Sequence, residues 1–114
     1  MKRTHRCNQV TEDLIGEEIS VTGWIHRRRD HGGVIFFDLR DEDGLVQVVC
    51  NPESENTFSL AETCRNEYVI LSKGLVRERP AGTENSNLVT GKVEIVASEL
   101  EILNTSLPIP FQLD

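Results

Sequence analysis

The chain has 114 residues, with 12 Lys and Arg against 19 Asp and Glu, and a formal net charge of -7. Its 38% hydrophobic and 27% charged residues are typical of one globular domain and argue against a disordered chain. No apolar run approaches the roughly 18 residues of a membrane helix. The basic N-terminus is not followed by the apolar segment of a secretory signal, so a cytoplasmic location is expected.

The cysteines and histidines do not predict a disulfide framework or a metal site. The three cysteines include no Cys-X-X-Cys pair, and we expect reduced, buried thiols at Cys7, Cys50 and Cys64. A strand end and a turn carry His26, Asp30 and His31, whose spacing matches no familiar metal-ligand pattern. Motifs for a P-loop, a hydrolase nucleophile elbow, a zincin or a dinucleotide site do not occur, so no catalytic residue is predicted.

The first half of the chain predicts a helical turn and a three-stranded meander. Residues 11–16 favour one short helical turn, because Thr11 resembles an N-cap and Gly16 ends the segment. Alternating and β-branched residues predict strands at 19–29, 34–40 and 45–50. The first two strands are separated by Gly32 and Gly33, which supply the positive φ of a tight reversal.

The second half predicts one helix and two more strands. Asn51-Pro52 ends the third strand, and a 3.6-residue pattern through Phe58, Ala61 and Cys64 predicts a helix over 54–66. Strands are predicted at 68–77 and at 89–103, the latter either continuous or with a bulge, on either side of a polar loop at 80–87. We therefore assign residues 1–104 to one domain and 105–114 to the start of a linker.

This element order predicts an all-β fold. Three strands, one helix and two more strands with short connections are typical of the OB-fold, a five-stranded Greek-key barrel. A small SH3-like barrel would not have a helix between its third and fourth strands. The expected architecture is therefore a closed OB barrel with one helix between strands three and four and a short helical turn near the N-terminus.

Alternation along the second and third strands indicates where a ligand could bind. Ile35, Phe37 and Leu39 share the predicted core face, which leaves Phe36 on a face that also carries ions. In the third strand Gln47 falls on the less apolar face, so the two side chains become neighbours if these faces coincide. An aromatic ring beside an amide suits single-stranded nucleic acid, whereas a small apolar cluster with neighbouring valines remains an open alternative.

Alternation also assigns the arginines of the first and fourth strands to particular strand faces. Alternation places Arg27 and Arg29 on one face of the first strand and Arg28 on the other, so the three are not expected to contact one ligand. Arg77 and Arg79 share a face of the fourth strand. Two basic pairs on one barrel are a better indication of a phosphate-bearing partner than a single charged run, which is usually solvated.

The stretch from Gly23 to Asp41, GWIHRRRDHGGVIFFDLRD, resembles the N-terminal anticodon-binding domain of bacterial aspartyl-tRNA synthetases. The similarity continues through 44–49 and includes 3–7, 65–67 and 90–95, so it covers nearly the whole chain. The related asparaginyl and lysyl enzymes share the fold with a looser form of this motif. The aspartyl assignment therefore depends on the triple arginine and the segments that flank it.

The resemblance implies roles for seven residues at the three anticodon bases. The residue matching Phe36 stacks on the central uridine, and those matching Gln47 and Arg29 contact the same base. Residues matching Glu94 and Arg77 lie at the first base, a guanosine or its queuosine derivative. The third base is contacted by the residues matching Arg79 and Asn85.

Three further positions bear on which tRNA is recognised. His31 and Gly82 resemble the residues of relaxed bacterial enzymes that aspartylate both tRNA(Asp) and tRNA(Asn), whose anticodons differ at the third base. Thr83 departs from the Asn of stricter members, which puts one third-base contact in doubt. The resemblance thus implies recognition of the anticodon GUC and, as a further hypothesis, of GUU.

The resemblance also implies a larger parent enzyme, aspartate-tRNA ligase, which uses ATP and Mg to attach aspartate to tRNA. The motifs of its class II catalytic domain do not occur in these 114 residues, so this chain is expected to bind tRNA without charging it and to need no cofactor itself. The parent is expected to be a homodimer and this domain a monomer. The residues also allow two other functions, a free-standing single-strand-binding module and a protein-interaction barrel.

Overall fold

A computed structural model describes residues 2–106, so most of the predicted linker, residues 107–114, lies outside the described part of the chain. In this part five strands and one α-helix follow in the order β1 (Glu18–His31), β2 (Val34–Arg40), β3 (Leu45–Cys50), α1 (Glu55–Thr63), β4 (Val69–Glu78) and β5 (Val93–Asn104). Short 3-10 turns at Cys7–Gln9 and Glu12–Leu14 precede them. The predicted element order is confirmed.

The strands close into a barrel in the order β1-β2-β3-β5-β4, and β4 returns to pair with β1. Neighbouring strands are antiparallel except β3 and β5, which run parallel through the pairs Val48 with Ile95 and Val49 with Val96. The exchange of β4 and β5 in this order is the Greek-key connection of an OB-fold. Closure pairs both edges of the sheet, which removes the exposed edge that an open sheet would present.

The barrel interior contains the side chains that alternation assigns to it. On β2, Ile35, Phe37 and Leu39 are at most 2% exposed, and on β3 the side chains of Val46 and Val48 are fully buried. The cysteines Cys7, Cys50 and Cys64 are buried and free, as expected from their spacing. Desolvation by burial raises the pKa of the Cys50 thiol to about 12.

Helix α1 packs on the barrel through the predicted side, since Ala61 is buried in it and Cys64 is buried just beyond it. The Thr57 hydroxyl donates a hydrogen bond of 2.7 Å to the carbonyl of Ser98, which fastens the helix to β5. The helix is shorter than the predicted 54–66. It ends because the backbone at Cys64 is extended and Glu67 adopts a positive φ of 73°, both incompatible with a helix.

Two other boundaries differ from the sequence prediction. Strand β5 begins at Val93, four residues after the predicted start, because Val89 lies in the preceding loop and is 79% exposed. Near the N-terminus the predicted helical turn is confirmed and Gly16 has a φ of 93°, but the Thr11 side chain makes no capping hydrogen bond. The 3-10 turn at Cys7–Gln9 was not predicted; the Asp41 carboxylate holds it by accepting a bond of 2.8 Å from the Cys7 amide.

The hairpin between β1 and β2 decides which arginines face outward. Gly32 and Gly33 have φ values of 60° and 79°, the left-handed values that a two-residue reversal requires. Farther along, the register shifts between Ile25 and Arg27, so His26 is an extra residue in β1. Strict alternation from the buried Ile25 would turn Arg27 inward, and the bulge instead places it opposite Asp38.

Within residues 2–106 no helix is both long and apolar enough to cross a membrane.

Candidate nucleic-acid interface

A connected row of polar side chains crosses the outer face of the barrel. The Arg29 Nη2 donates to Asp38 Oδ1 at 3.0 Å and to Gln47 Oε1 at 2.9 Å. Gln47 Nε2 donates to Glu94 Oε1 at 2.7 Å, and Arg77 Nε donates to Glu94 Oε2 at 2.7 Å. We call these five residues the polar chain; they join β1, β2, β3, β5 and β4 in the order in which the barrel closes.

The centre of the polar chain is buried although its ends reach solvent. Glu94 is 1% exposed and Gln47 is 5% exposed, whereas the Arg77 side chain is 45% exposed. A buried carboxylate is costly unless it is paired and hydrogen-bonded, and Glu94 has one partner on each oxygen. The carboxylate and the amide are therefore held in one arrangement before any ligand binds.

Phe36 lies beside the polar chain with a partly exposed ring. The Arg29 guanidinium is 5.4 Å from the ring centroid, within the range of a cation–π interaction. Val34 and the buried Val49, which pairs with Phe36 across the two strands, line the same cleft, so apolar side chains flank the ring. The two readings of Phe36 are compatible, because a ring supported from one side still presents its remaining surface to the cleft.

Two adjoining clefts bring most of the sequence-predicted residues together. The first has a volume of about 310 Å³, and among the residues that line it are Arg29, His31, Phe36, Gln47, Arg77, Arg79, Thr83 and Glu94. The second, of about 410 Å³, shares Arg29, Gln47, Arg79 and Thr83 with the first and adds Asn85. Of the ten candidates, Gly82 alone lines neither cleft.

Gly82 instead shapes the loop that bounds both clefts. Its φ of 87° is one that residues with a side chain rarely adopt. The backbone N–H of Gly82 donates to Glu84 Oε1 at 2.9 Å, and the Thr83 hydroxyl donates to the Pro80 carbonyl at 2.6 Å. The loop is therefore held in a compact turn, so that Thr83 reaches the clefts.

Arg79 lies beneath this loop and is 7% exposed. Its Nε donates to the Val93 carbonyl at 3.0 Å, and its Nη1 lies 3.4 Å from the Thr83 carbonyl. Burial lowers the pKa of the Arg79 guanidinium, an effect that the charges of Glu94 and Asp38 oppose. Arg79 thus both supports the loop and brings a positive charge to the floor of the clefts.

Arg28 serves a different purpose from its two neighbours. Its Nη1 donates to the carbonyls of Glu62 at 2.9 Å and Cys64 at 2.7 Å, at the C-terminal end of α1. Its Nε donates to Asp30 at 2.9 Å, and this hydrogen bond raises the pKa of Arg28. A cation at this end of a helix satisfies carbonyls that have no partner within the helix. The predicted separation of Arg28 from the other two arginines is confirmed.

The side chains that line the two clefts have a small excess of positive charge although the whole protein is acidic. Their lining contains Arg27, Arg29, Arg77 and Arg79 against the carboxylates of Asp38, Glu84 and Glu94. The net charge of the whole chain is -7, so this face differs from the rest of the surface. Such a patch can attract a phosphate backbone while the acids elsewhere oppose unspecific contacts.

Within residues 2–106 no group of three or more His, Cys, Asp or Glu side chains could hold a metal ion.

Sequence reasoning alone missed two features of the interface. Asp38 shares the face of β2 on which Phe36 lies, but its ion pair with Arg29 does not follow from the pattern of one strand. Glu94 reads as an ordinary surface acid, and only the resemblance picked it out, whereas the structure buries it. The strand pattern offers no signal for this burial, because an acid between the apolar residues Val93 and Ile95 is expected on the solvated face of a strand.

Comparisons with solved structures agree with this fold. An OBody bound to hen egg-white lysozyme is 30% identical, with a TM-score of 0.80, over 93% of this chain and 97% of that one. The asparaginyl-tRNA synthetase of Pyrococcus horikoshii complexed with asparaginyl-adenylate is 24% identical, with a TM-score of 0.75 over 91% of this chain. An aspartyl-tRNA synthetase from Entamoeba histolytica is 16% identical, with a TM-score of 0.78 over 98% of this chain.

This chain spans only 23% of the length of either synthetase, and at these identities the two likenesses show the fold alone. The family match is more specific. Residues 19–103, from the start of β1 almost to the end of β5, match the tRNA anti-codon family, which is described as an OB-fold nucleic acid binding domain. Since this match covers most of the chain and includes both clefts, the protein belongs to the tRNA anti-codon family of OB-fold nucleic acid binding domains.

Proposed function

We propose that this domain binds the anticodon loop of tRNA(Asp), with the anticodon GUC, as the N-terminal part of an aspartate-tRNA ligase. The observation that carries the proposal is the position of Phe36. Its partly exposed ring lies in a cleft with a fixed amide, a buried carboxylate and arginines. Recognition of single-stranded RNA uses these groups, with rings stacking on bases and polar side chains bonding to base edges.

In this proposal the central base of the anticodon stacks on Phe36. Gln47 and Arg29 meet its edge, since both line the same cleft as the ring. A uracil edge offers an N–H donor beside a carbonyl acceptor, and an amide side chain can pair with both at once. Gln47 would present a fixed edge to this base, because Arg29 and Glu94 already orient its amide.

The first base is assigned to Glu94 and Arg77. Guanine presents N–H donors on its Watson–Crick edge, which a carboxylate can accept. Each Glu94 oxygen accepts one protein hydrogen bond and retains a second lone pair for a base. The exposed end of Arg77 is suited to a phosphate or to a base carbonyl.

The third base is assigned to the second cleft. Arg79, Thr83 and Asn85 line it, and Gly82 sets the turn that carries Thr83. His31 lies at the first cleft, near the tip of the β1–β2 hairpin. We infer that a relaxed contact at Thr83 admits both GUC and GUU, which would extend binding to tRNA(Asn).

The parent enzyme in this proposal is a cytoplasmic homodimer that uses ATP and Mg to activate aspartate, and the isolated domain is a monomer. The synthetase parent is supported by structural neighbours that are asparaginyl- and aspartyl-tRNA synthetases. In this proposal ATP and Mg bind to the catalytic region of the parent enzyme.

A titration with labelled anticodon stem-loops tests the proposed function. A stem-loop bearing GUC should bind more tightly than one with the same stem and a scrambled loop. Equal binding of the two would favour a free-standing single-strand-binding module instead. The GUU loop, in the same series, should bind within a few-fold of GUC if the third base is read loosely.

A protein-interaction barrel is the second candidate function, and one observation favours it. An OBody that is similar to 93% of this chain is bound to a protein, hen egg-white lysozyme. The two candidates separate at low salt, where an RNA-binding domain should hold the GUC loop most strongly. Absence of RNA binding under that condition would favour a protein partner.

Recognition of both tRNA(Asp) and tRNA(Asn) is tested with the complete enzyme. Aspartylation of tRNA(Asp) and tRNA(Asn) by the full-length ligase should proceed at comparable rates if His31, Gly82 and Thr83 mark a relaxed enzyme. A strong preference for tRNA(Asp) would reject dual specificity and leave the anticodon-binding proposal intact.

A further inference from the structure

The orientation of the Gln47 amide is fixed from both sides by charged groups. Its carbonyl oxygen accepts from the Arg29 guanidinium at 2.9 Å, and its nitrogen donates to the Glu94 carboxylate at 2.7 Å. Rotating the amide by 180° would bring the oxygen against a carboxylate and the nitrogen against a guanidinium. Both favourable contacts would become unfavourable, so only one orientation is compatible with these neighbours.

The two charged neighbours are themselves held in place. Arg29 is fixed by the Asp38 carboxylate at 3.0 Å and by the Phe36 ring at 5.4 Å. Glu94 is fixed by Arg77, whose Nε lies 2.7 Å from its second oxygen. The amide therefore cannot turn unless at least one of these ion pairs also moves.

An amide with a fixed orientation can distinguish two bases when one presents a hydrogen-bond donor where the other presents an acceptor. Uracil and cytosine have the same shape, but at positions 3 and 4 uracil presents N–H and C=O where cytosine presents N and NH₂. A freely turning amide could satisfy either base in one stacked pose. An amide with fixed orientation satisfies only one of them, and the other base leaves buried polar groups without partners.

We propose that Glu94 and Arg29 act as positioning residues that lock the Gln47 amide, and that this lock makes the site discriminate uracil from cytosine at the base stacked on Phe36. This inference rests on the proposed function, since it needs RNA in the cleft. The inference goes beyond the proposed function because it couples the sites of two anticodon bases. Glu94, assigned to the first base, then also controls discrimination at the second.

The test is the ratio of dissociation constants for two stem-loops that differ only at the central anticodon base, GCC over GUC. The variant Glu94→Gln keeps the size of the side chain and removes its charge. Arg77 then donates to the carbonyl of the new amide, whose NH₂ faces Gln47, so this side now opposes the original orientation and only Arg29 still supports it. We expect the GCC/GUC ratio to fall at least tenfold in this variant, whatever happens to overall affinity.

Glu84→Gln is the matched control. Glu84 lines the second cleft and undergoes the same change of charge, but its side chain accepts a hydrogen bond from the Gly82 backbone and not from Gln47. The ratio should stay at the unsubstituted value in this control. A similar fall in both variants would mean that the local field, and not the lock, sets the ratio, which would overturn the inference.

A second variant keeps the test decisive if Glu94→Gln fails to fold. Arg29 has a side chain that is 36% exposed, so Arg29→Met should leave the barrel intact while removing the donor to the Gln47 oxygen. The ratio should fall here as well, and an unchanged ratio in a folded Glu94→Gln or Arg29→Met variant would refute the lock. If the unsubstituted domain does not prefer GUC over a scrambled loop, the proposed function fails; if it does and the ratios do not move, only this inference fails.

Discussion

Phe36 and Phe37 are adjacent on β2 and lie on opposite sides of the barrel wall. Phe37 is fully buried in the core, whereas Phe36 lines the cleft under the Arg29 guanidinium. Successive side chains of a strand point to opposite faces, so the same residue type serves stability at one position and ligand contact at the next.

Replacing Phe36 with Ala should weaken binding of the GUC stem-loop with little change in stability. Loss of one stacking platform corresponds to roughly 1–3 kcal/mol, or about 5- to 150-fold in the dissociation constant. Fluorescence anisotropy measures the affinity and urea unfolding measures the stability. The matched control, Phe37→Ala, should instead lower the free energy of unfolding by about 3–5 kcal/mol. Unfolding of the Phe36 variant would return that ring to the core and reject its stacking role.

Arg28→Ala should lower stability and leave RNA affinity nearly unchanged. The substitution removes a charged donor from the carbonyls of Glu62 and Cys64, which corresponds to about 1.5–3 kcal/mol. Thermal unfolding followed by circular dichroism measures the effect. Arg27→Ala is the comparison from the same arginine run and should do the reverse, weakening RNA binding and reducing its salt dependence by about one phosphate contact. Identical behaviour of the two variants would contradict the separation of faces.

Asp41→Ala should destabilise the domain by at least about 2 kcal/mol. The buried carboxylate accepts from the backbone N–H groups of Cys7, Asp43 and Gly44 at 2.8, 2.9 and 3.1 Å, and its loss leaves these donors without that partner. Urea unfolding checks the value. Asp43→Ala is the control, because its ion pair with Arg6 is exposed and is expected to contribute less than about 1 kcal/mol. Equal losses in the two variants would contradict the anchoring role of Asp41.

The buried thiol of Cys50 should make stability fall at alkaline pH. Its pKa is raised from 9.0 to about 12 by burial, so the folded state retains a proton that the unfolded state releases above about pH 9. The full contribution is present below pH 9 and is lost as the pH rises toward 12. Between pH 8 and 10 the free energy of unfolding should drop by about 1.4 kcal/mol more in the native chain than in Cys50→Val. Parallel curves for the two proteins would show that this thiol does not contribute.

Much of the fold follows from local pattern. Alternation in β2 and β3 separates the core residues Ile35 and Phe37 from Phe36, and the structure confirms that separation. The paired glycines predict the hairpin because two successive left-handed φ values favour residues without a side chain. The helix and β5 were predicted with wrong ends, since the residues that end an element are decided by the contacts on either side of it.

The residues of the site differ in how much of their structural role the sequence predicts. Phe36 and Gln47 follow from strand periodicity alone, but the pattern gave no reason to expect that Gln47 is 5% exposed. Nothing local indicates the partner of Glu94, because Gln47 lies 47 positions away on a different strand. The resemblance indicated that Glu94 matters, and the packing explains how its charge is accommodated.

The sequence by itself determined the order of the elements, the alternation of side chains along β2 and β3 and the motif that links the chain to anticodon-binding domains. The tertiary structure decided how the strands register with one another. The bulge at His26 turns Arg27 outward, and the parallel pairing of β3 with β5 brings Glu94 beside Gln47. The physical reason is that alternation is a property of one strand, whereas register is set by hydrogen bonds between segments that are distant in the chain.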